Sequence, residues 1–146
     1  MSKGFTLIEI LIAMAIMVVL AAGGATISLR ASRRKSVETT TDKMISLLRL
    51  AKSNSQASKV GTCTTNFQGW QVNINSTSVA LQLVCGASTS DTQTFTYPTG
   101  VTASPSPTVI LFKRLGAGTN LAGDAIIEIS GLITKEITVT TKGEIE

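Results

Sequence analysis

The most conspicuous ionisable group in the sequence is Glu9, a carboxylate near the start of a long apolar stretch. The twenty residues from Ile10 to Leu29 carry no charge. At about 1.5 Å per residue a helix of this length reaches about 30 Å, the thickness of a bilayer core. A carboxylate in such a segment costs free energy to insert, and it is usually functional and paired. We therefore predict a membrane-spanning helix whose Glu9 has a specific partner.

The partner of Glu9 is expected to come from a second copy of the chain. Lys3 is close in sequence but precedes the apolar stretch. Cleavage between Gly4 and Phe5 would create a new amino terminus four residues from Glu9, which is about 6 Å along a helix. A neighbouring copy, shifted along the helix axis, would bring this amine to the carboxylate. Such a pair would fix the register between copies.

An ordinary secretory signal peptide is the alternative to a membrane anchor. The small residues Ala21–Ala25 would suit cleavage by a signal peptidase. However, the apolar run is longer than the core of a typical signal peptide, and Glu9 gives such a peptide no advantage. We therefore favour the anchor.

The residue types present exclude much of enzyme chemistry. The sequence has no histidine, which excludes a Ser-His-Asp triad, a Cys-His pair and histidine-ligated zinc, iron or copper. The two cysteines cannot form a four-thiolate site alone. We identify no catalytic residue, no metal ligand and no cofactor site, and we predict that the protein is not an enzyme.

The N-terminal segment Lys3–Glu9 (KGFTLIE) resembles the processing and assembly motif of type IV prepilins and pseudopilins. In that family a membrane peptidase cuts after the glycine and methylates the new N-terminal phenylalanine. The resemblance implies that Gly4 and Phe5 are the processing site. It also implies that Glu9 neutralises the terminal amine of the next subunit in a fibre.

Further segments resemble the group of H-type minor pseudopilins and T-type minor pilins, whose head is an antiparallel β-sandwich. The similar segments are Leu47–Ser53, Gly69–Val72, Ile110–Gly116, Ile126–Ile129 and Ile137–Thr140 with Gly143. The resemblance implies a minor subunit of a type IV pilus or a type II secretion pseudopilus. The implied partners are other pilin or pseudopilin subunits, the prepilin peptidase and the inner-membrane assembly platform. The implied location is the bacterial inner membrane, with the head outside the cytoplasm, and then the fibre.

A second helical pattern follows the apolar stretch. Apolar residues recur at helical spacing, with basic residues on the opposite face; the apolar positions are Val37, Met44, Ile45, Leu48 and Ala51. We predict one helix from about Phe5 to about Ser58. Gly23 and Gly24 are its weak point, because each interior glycine costs about 1 kcal/mol relative to alanine. They are either tolerated within the membrane or form a hinge that unwinds on assembly.

Four basic residues follow the predicted span, and we name Arg30, Arg33, Arg34 and Lys35 the basic collar. We favour a collar that faces lipid headgroups. The alternative is a contact surface for an anionic partner, which would make the protein a pilus-associated binding module for DNA or a surface ligand. Nucleic acid is not favoured, since the chain ends in the acidic segment Glu144–Glu146.

The remainder of the chain has the period-two pattern of strands. Trp70–Ile74 and Val79–Cys85 flank a turn signal and predict a β-hairpin. The other predicted strands are Thr92–Tyr97, Thr108–Phe112, Ala125–Ser130 and Ile133–Thr141. All three prolines fall in Tyr97–Pro107, which is expected to be a loop or a sheet edge. The predicted fold class is α+β, with a long N-terminal helix packed on an antiparallel sheet or β-sandwich.

Cys63 and Cys85 flank the predicted hairpin. We predict a disulfide because exported domains usually pair their cysteines; the alternative is two buried thiols. The predicted organisation is a leader at residues 1–4, a membrane or fibre-core helix at 5–29, an amphipathic stem at 30–58 and a β-rich head at 59–146.

Overall fold

A computed structural model describes residues 6–64 and 66–146, and the side chains of residues 20–27 and 91 lie outside that description. Within these ranges a long helix precedes seven strands. The helix is α1 (Leu7–Gln56), and the strands are β1 (Phe67–Ile74), β2 (Ser78–Cys85), β3 (Ser88–Thr96), β4 (Thr102–Ser106), β5 (Val109–Lys113), β6 (Ala125–Ser130) and β7 (Thr134–Val139). The predicted α+β architecture is confirmed.

The strands form two antiparallel sheets with the orders β3-β2-β1-β5 and β4-β6-β7. Alternation of side chains between the two faces of a strand places the apolar residues in one core. In β6, for example, Ala125, Ile127 and Ile129 are fully buried, whereas Ile126 is half exposed. The same core takes in the apolar stripe of α1, so the helix and the sheets fold as one unit.

The C-terminal half of α1 packs on the sheets through the predicted stripe. Val37, Met44, Leu48 and Ala51 are fully buried, and the basic residues on the opposite face are largely exposed. The helix ends at Gln56, two residues before the expected end, because Ser58 adopts a left-handed φ of 47°. The backbone N–H groups of Ser58 and Lys59 then bond the carbonyls of Ser55 and Asn54, a Schellman arrangement that closes the helix.

The observed strands follow the predictions except at their ends. The hairpin of β1 and β2 is confirmed, with Ile74 opposite Val79. β3 begins at Ser88 rather than Thr92, because its polar residues lie at a sheet edge and lack the apolar alternation that marks a half-buried strand. β7 is shorter than predicted and ends at Val139. The proline-containing segment Tyr97–Pro107 contributes β4, which lies at the edge of its sheet. An edge position was expected, because proline cannot donate a hydrogen bond to a neighbouring strand.

A buried serine joins the helix to the larger sheet. The Ser55 hydroxyl donates to the carbonyl of Phe112 (2.7 Å) and accepts from the backbone N–H of Trp70 (2.9 Å). Close approach of the two strands depends on Gly69, whose φ is 152°, since a Cβ there would overlap the Phe112 carbonyl oxygen. We name this arrangement the Ser55 clasp; it fixes the end of α1 against β1 and β5.

The predicted disulfide between Cys63 and Cys85 is present, with a Cα–Cα distance of 5.8 Å. Cys85 ends β2 opposite Phe67, and Cys63 lies in the loop before β1. The bond closes a loop between residues 22 positions apart. In the chain-entropy model a loop of this size adds about 3 kcal/mol to the free energy of unfolding.

We predict that Ser55→Ala lowers the free energy of unfolding by about 1–3 kcal/mol, because it leaves a buried N–H and a buried carbonyl unpaired. Denaturant titration of the full chain in detergent, followed by the fluorescence of Trp70, would measure the change, since Trp70 is the single tryptophan. Ser53→Ala on the exposed side of the same helix is the control. Equal stability of the two variants would contradict a stabilising clasp.

Candidate functional site

The N-terminal arm of α1, from Leu7 to Val19, extends beyond the head and exposes its apolar side chains. Its large apolar residues are 47–79% exposed in a single copy of the chain. An uncovered apolar surface of this length is unfavourable in water, at roughly 25 cal/mol per Å². The arm therefore requires an apolar environment, which either a lipid bilayer or further copies of the same arm would supply.

Glu9 lies exposed in the first turn of α1, where the helix dipole favours a negative charge. Its neighbours on the helix surface are apolar, namely Ile10, Ala13, Met14 and Met17. Among the described residues Glu9 has no ion-pair partner. Gly4 and Phe5, the predicted processing pair, lie outside the described residues. The pairing of Glu9 with another copy's amino terminus stays a prediction.

The helix α1 continues through Gly23 and Gly24. Their surroundings fall within the segment whose side chains are not described, so the hinge stays a prediction. The same holds for the membrane span predicted over residues 5–29. Within the described part of the chain, no helix is both long enough and apolar enough to cross a bilayer.

Comparison with protein families finds a match for the N-terminal segment. Residues 1–25 match the family model described as the prokaryotic N-terminal methylation motif. The N-terminal segment of the chain is therefore similar to that of type IV pilin-like proteins. Proteins of this class are structural subunits rather than enzymes, and the motif implies anchoring in the inner membrane, processing by prepilin peptidase and assembly with other pilins. Searches of curated proteins and of solved structures gave no significant match.

The basic collar lies on the exposed surface of α1, between the N-terminal arm and the head. The guanidinium of Arg34 lies 3.2 Å from the Glu38 carboxylate, one turn along the helix. That pair is the one salt bridge in the described part of the chain. Arg30, Arg33 and Lys35 therefore have no carboxylate partner there, and their charges remain available for an external anion.

One member of the collar also lines a cavity of about 360 Å³ where the head meets the helix. The cavity lies between the helix and two loops of the head; its lining is Arg33, Ser36, Thr99, Gly100, Val101, Gly131 and Leu132. Gly131 allows the tip of the β6–β7 hairpin to touch the helix, because a Cβ there would lie 2.6 Å from Cγ2 of Val37. We name this the junction cavity.

Apart from Glu9 and the basic collar, the described residues contain few polar groups that could form a binding or catalytic site. The hydroxyl of Tyr97 is buried without a hydrogen-bond partner among them, and burial raises the pKa of Tyr97 above its ordinary value. Tyr97 is therefore uncharged at neutral pH and packs near the ring of Phe95. No three side chains of the types that ligate metals converge within the described ranges.

The collar was predictable from the sequence, whereas the head residues of the junction cavity were not. Thr99 and Gly100 lie in a proline-containing segment assigned only as loop or edge, and Gly131 and Leu132 lie between two predicted strands. The loop or sheet edge over Tyr97–Pro107 was readable from its prolines, but its position beside the helix was not. The helix residues and the loop residues that line the cavity are more than 60 positions apart in the chain, and no local sequence pattern predicts a contact between residues so far apart.

We predict that Gly4→Leu leaves the leader uncut, because a bulky side chain would obstruct the peptidase at the proposed junction. Intact-mass analysis of protein extracted from its native membrane would show a chain that still begins at Met1. Ser2→Ala, a change elsewhere in the leader, is the control and should give a chain that begins at methylated Phe5. That mature chain should be two hydrogen atoms lighter because of the Cys63–Cys85 disulfide. Normal processing of Gly4→Leu would exclude this junction.

Proposed function

We propose that this pilin-like protein is a minor pilin or pseudopilin that assembles through α1 into a type IV pilus or a type II secretion pseudopilus. The observation that carries the proposal is the division of α1 into two halves. The methylation motif includes its N-terminal arm, whose apolar surface is uncovered, whereas its C-terminal half is held in the head. Such a subunit can repack its arm among other arms while its head stays folded.

The arm supports a head-to-tail arrangement rather than a closed dimer. Phe5 precedes Glu9 by four residues, so in one continuous helix the amine of processed Phe5 and the Glu9 carboxylate would lie about 6 Å apart along the axis. If each carboxylate takes the amine of a neighbour, every subunit donates to one copy and accepts from another. Repetition of such a heterologous contact gives an open helical filament unless the rotation closes.

The assignment as a minor subunit rests on the resemblance of the head segments to the H-type and T-type group. The observed strands β1, β5, β6 and β7 contain parts of those segments. The proposed processing residues Gly4 and Phe5 precede the arm, and the proposed assembly residue Glu9 lies in it. The proposed hinge at Gly23 and Gly24 follows the arm. The head from residue 59 onward is proposed to set the place of the subunit in the fibre.

A binding module for DNA or a surface ligand is the second candidate. The observation in its favour is the collar, in which Arg30, Arg33 and Lys35 lack carboxylate partners in the described part of the chain. Exposed acidic side chains at Glu144 and Glu146 oppose it. Duplex DNA binding by the full-length protein that weakens steeply with salt would favour this candidate.

We predict that Glu9→Gln leaves processing and membrane insertion intact but lowers incorporation into fibres by a factor of about 10²–10³ or more. The physical reason is that a buried amine without its carboxylate costs about 3–5 kcal/mol. Immunoblots of sheared fibre and membrane fractions would measure incorporation. Glu38→Gln removes a carboxylate from the same helix outside the arm and should assemble normally. Incorporation of Glu9→Gln at the wild-type level would refute the pairing.

A further inference from the structure

The junction cavity brings one collar cation under the head. Arg33 precedes Val37 by four residues and Arg30 precedes it by seven, which are spacings that place side chains on one helix face. Val37 is fully buried against the tip of the β6–β7 hairpin. The head-facing stripe of α1 therefore continues into Arg30 and Arg33, and Arg33 lines the cavity below that tip.

The opposite side of the cavity is a turn with free donors. The backbone N–H of Val101 bonds the carbonyl of Pro98 (3.1 Å), and Gly100 has a φ of 84°. Thr99 and Gly100 both line the cavity. In the described part of the chain, neither their backbone N–H groups nor the Thr99 hydroxyl takes part in a hydrogen bond. Exposed turn amides together with a guanidinium are donors that suit a polyoxygen anion.

We propose that the junction cavity binds the phosphate group of a phosphate ester, with Arg33 and the Thr99–Gly100 turn as its donors. A guanidinium presents a planar set of N–H groups that matches phosphate oxygens. No carboxylate lines the cavity or pairs with Arg33 in the described residues, so an incoming anion meets no competing charge. The volume of about 360 Å³ accommodates a headgroup-sized ligand.

The position of the cavity indicates a phospholipid headgroup as the source of the phosphate. Arg33 lies four residues beyond Leu29, the last residue of the predicted span, which is about 6 Å along a helix. Leu29 and Leu132 are 62% and 51% exposed beside the basic collar, as expected for side chains that reach an apolar boundary. This step rests on the proposed membrane-anchored state. A bound headgroup would hold the head at a fixed height until the subunit leaves the bilayer.

The test uses the full-length chain, labelled with ¹⁵N-glycine, in lipid nanodiscs. One arm compares discs of digalactosyldiacylglycerol, a bilayer-forming lipid without phosphate, with discs in which a third of the lipid is phosphatidylglycerol. The other arm titrates glycerol phosphate into the phosphate-free discs. We expect the amide resonances of Gly100 and Gly131 to shift with phosphatidylglycerol, and Arg33→Gln to weaken that response about tenfold, as loss of a charged hydrogen bond requires.

The matched control is Lys35→Gln, which removes a cation from the same collar but not from the cavity lining, and it should keep the wild-type response. A response to glycerol phosphate alone would retain the phosphate site but reject the lipid as its source. Absence of both responses, or equal loss in the two variants, would overturn the site. Failure of the chain to insert into the discs would instead reject the membrane-anchored state, so the two failures are distinguishable.

Discussion

The apolar surface of the N-terminal arm lies uncovered in a single copy of the described structure. The head already encloses its own core with the C-terminal half of α1, and no described element covers the arm from Leu7 to Val19. The arm therefore has stable surroundings only in lipid or among other arms. This requirement accounts for the arrangement of α1, whose C-terminal half is packed in the head while its N-terminal arm makes no contact with the described part of the head.

The head meets this constraint by fixing the helix at several points. The Ser55 clasp joins the last turns of α1 to β1 and β5, and the contact between Gly131 and Val37 fixes the helix at the lower edge of the head. Between these points lies the buried stripe from Val37 to Ala51. A helix held in this way transmits the position of the arm to the head, as the proposed assembly into a fibre requires.

The sheets are also protected against pairing with other sheets. The edge of β5 is bonded by Asn120, and the edge of β7 is bonded by the C-terminal Glu146. β4 carries Pro105, and β3 has an irregular register near Asp91. Covered, proline-containing and bulged edges all oppose strand addition. Association of two copies through the edges of their sheets is therefore disfavoured, and contacts between copies are expected to form through α1.

The sequence by itself determined the elements whose signals are local. The apolar run with Glu9, the amphipathic stripe, the period-two strands and the processing motif were all readable because each lies within a short window. The end of α1 was displaced by two residues because a left-handed Ser58, not an apolar pattern, closes the helix. β3 began earlier than predicted because an edge strand needs no buried face.

Only the tertiary structure decided which distant groups meet. Ser55 meets the backbone of Trp70 and Phe112, and Arg33 meets the loops around Gly100 and Gly131, across long separations in the chain. These contacts depend on how the helix crosses the two sheets, which is set by packing of the whole core. The sequence therefore specified the arm and its chemistry, and the packed head specified how that arm is held.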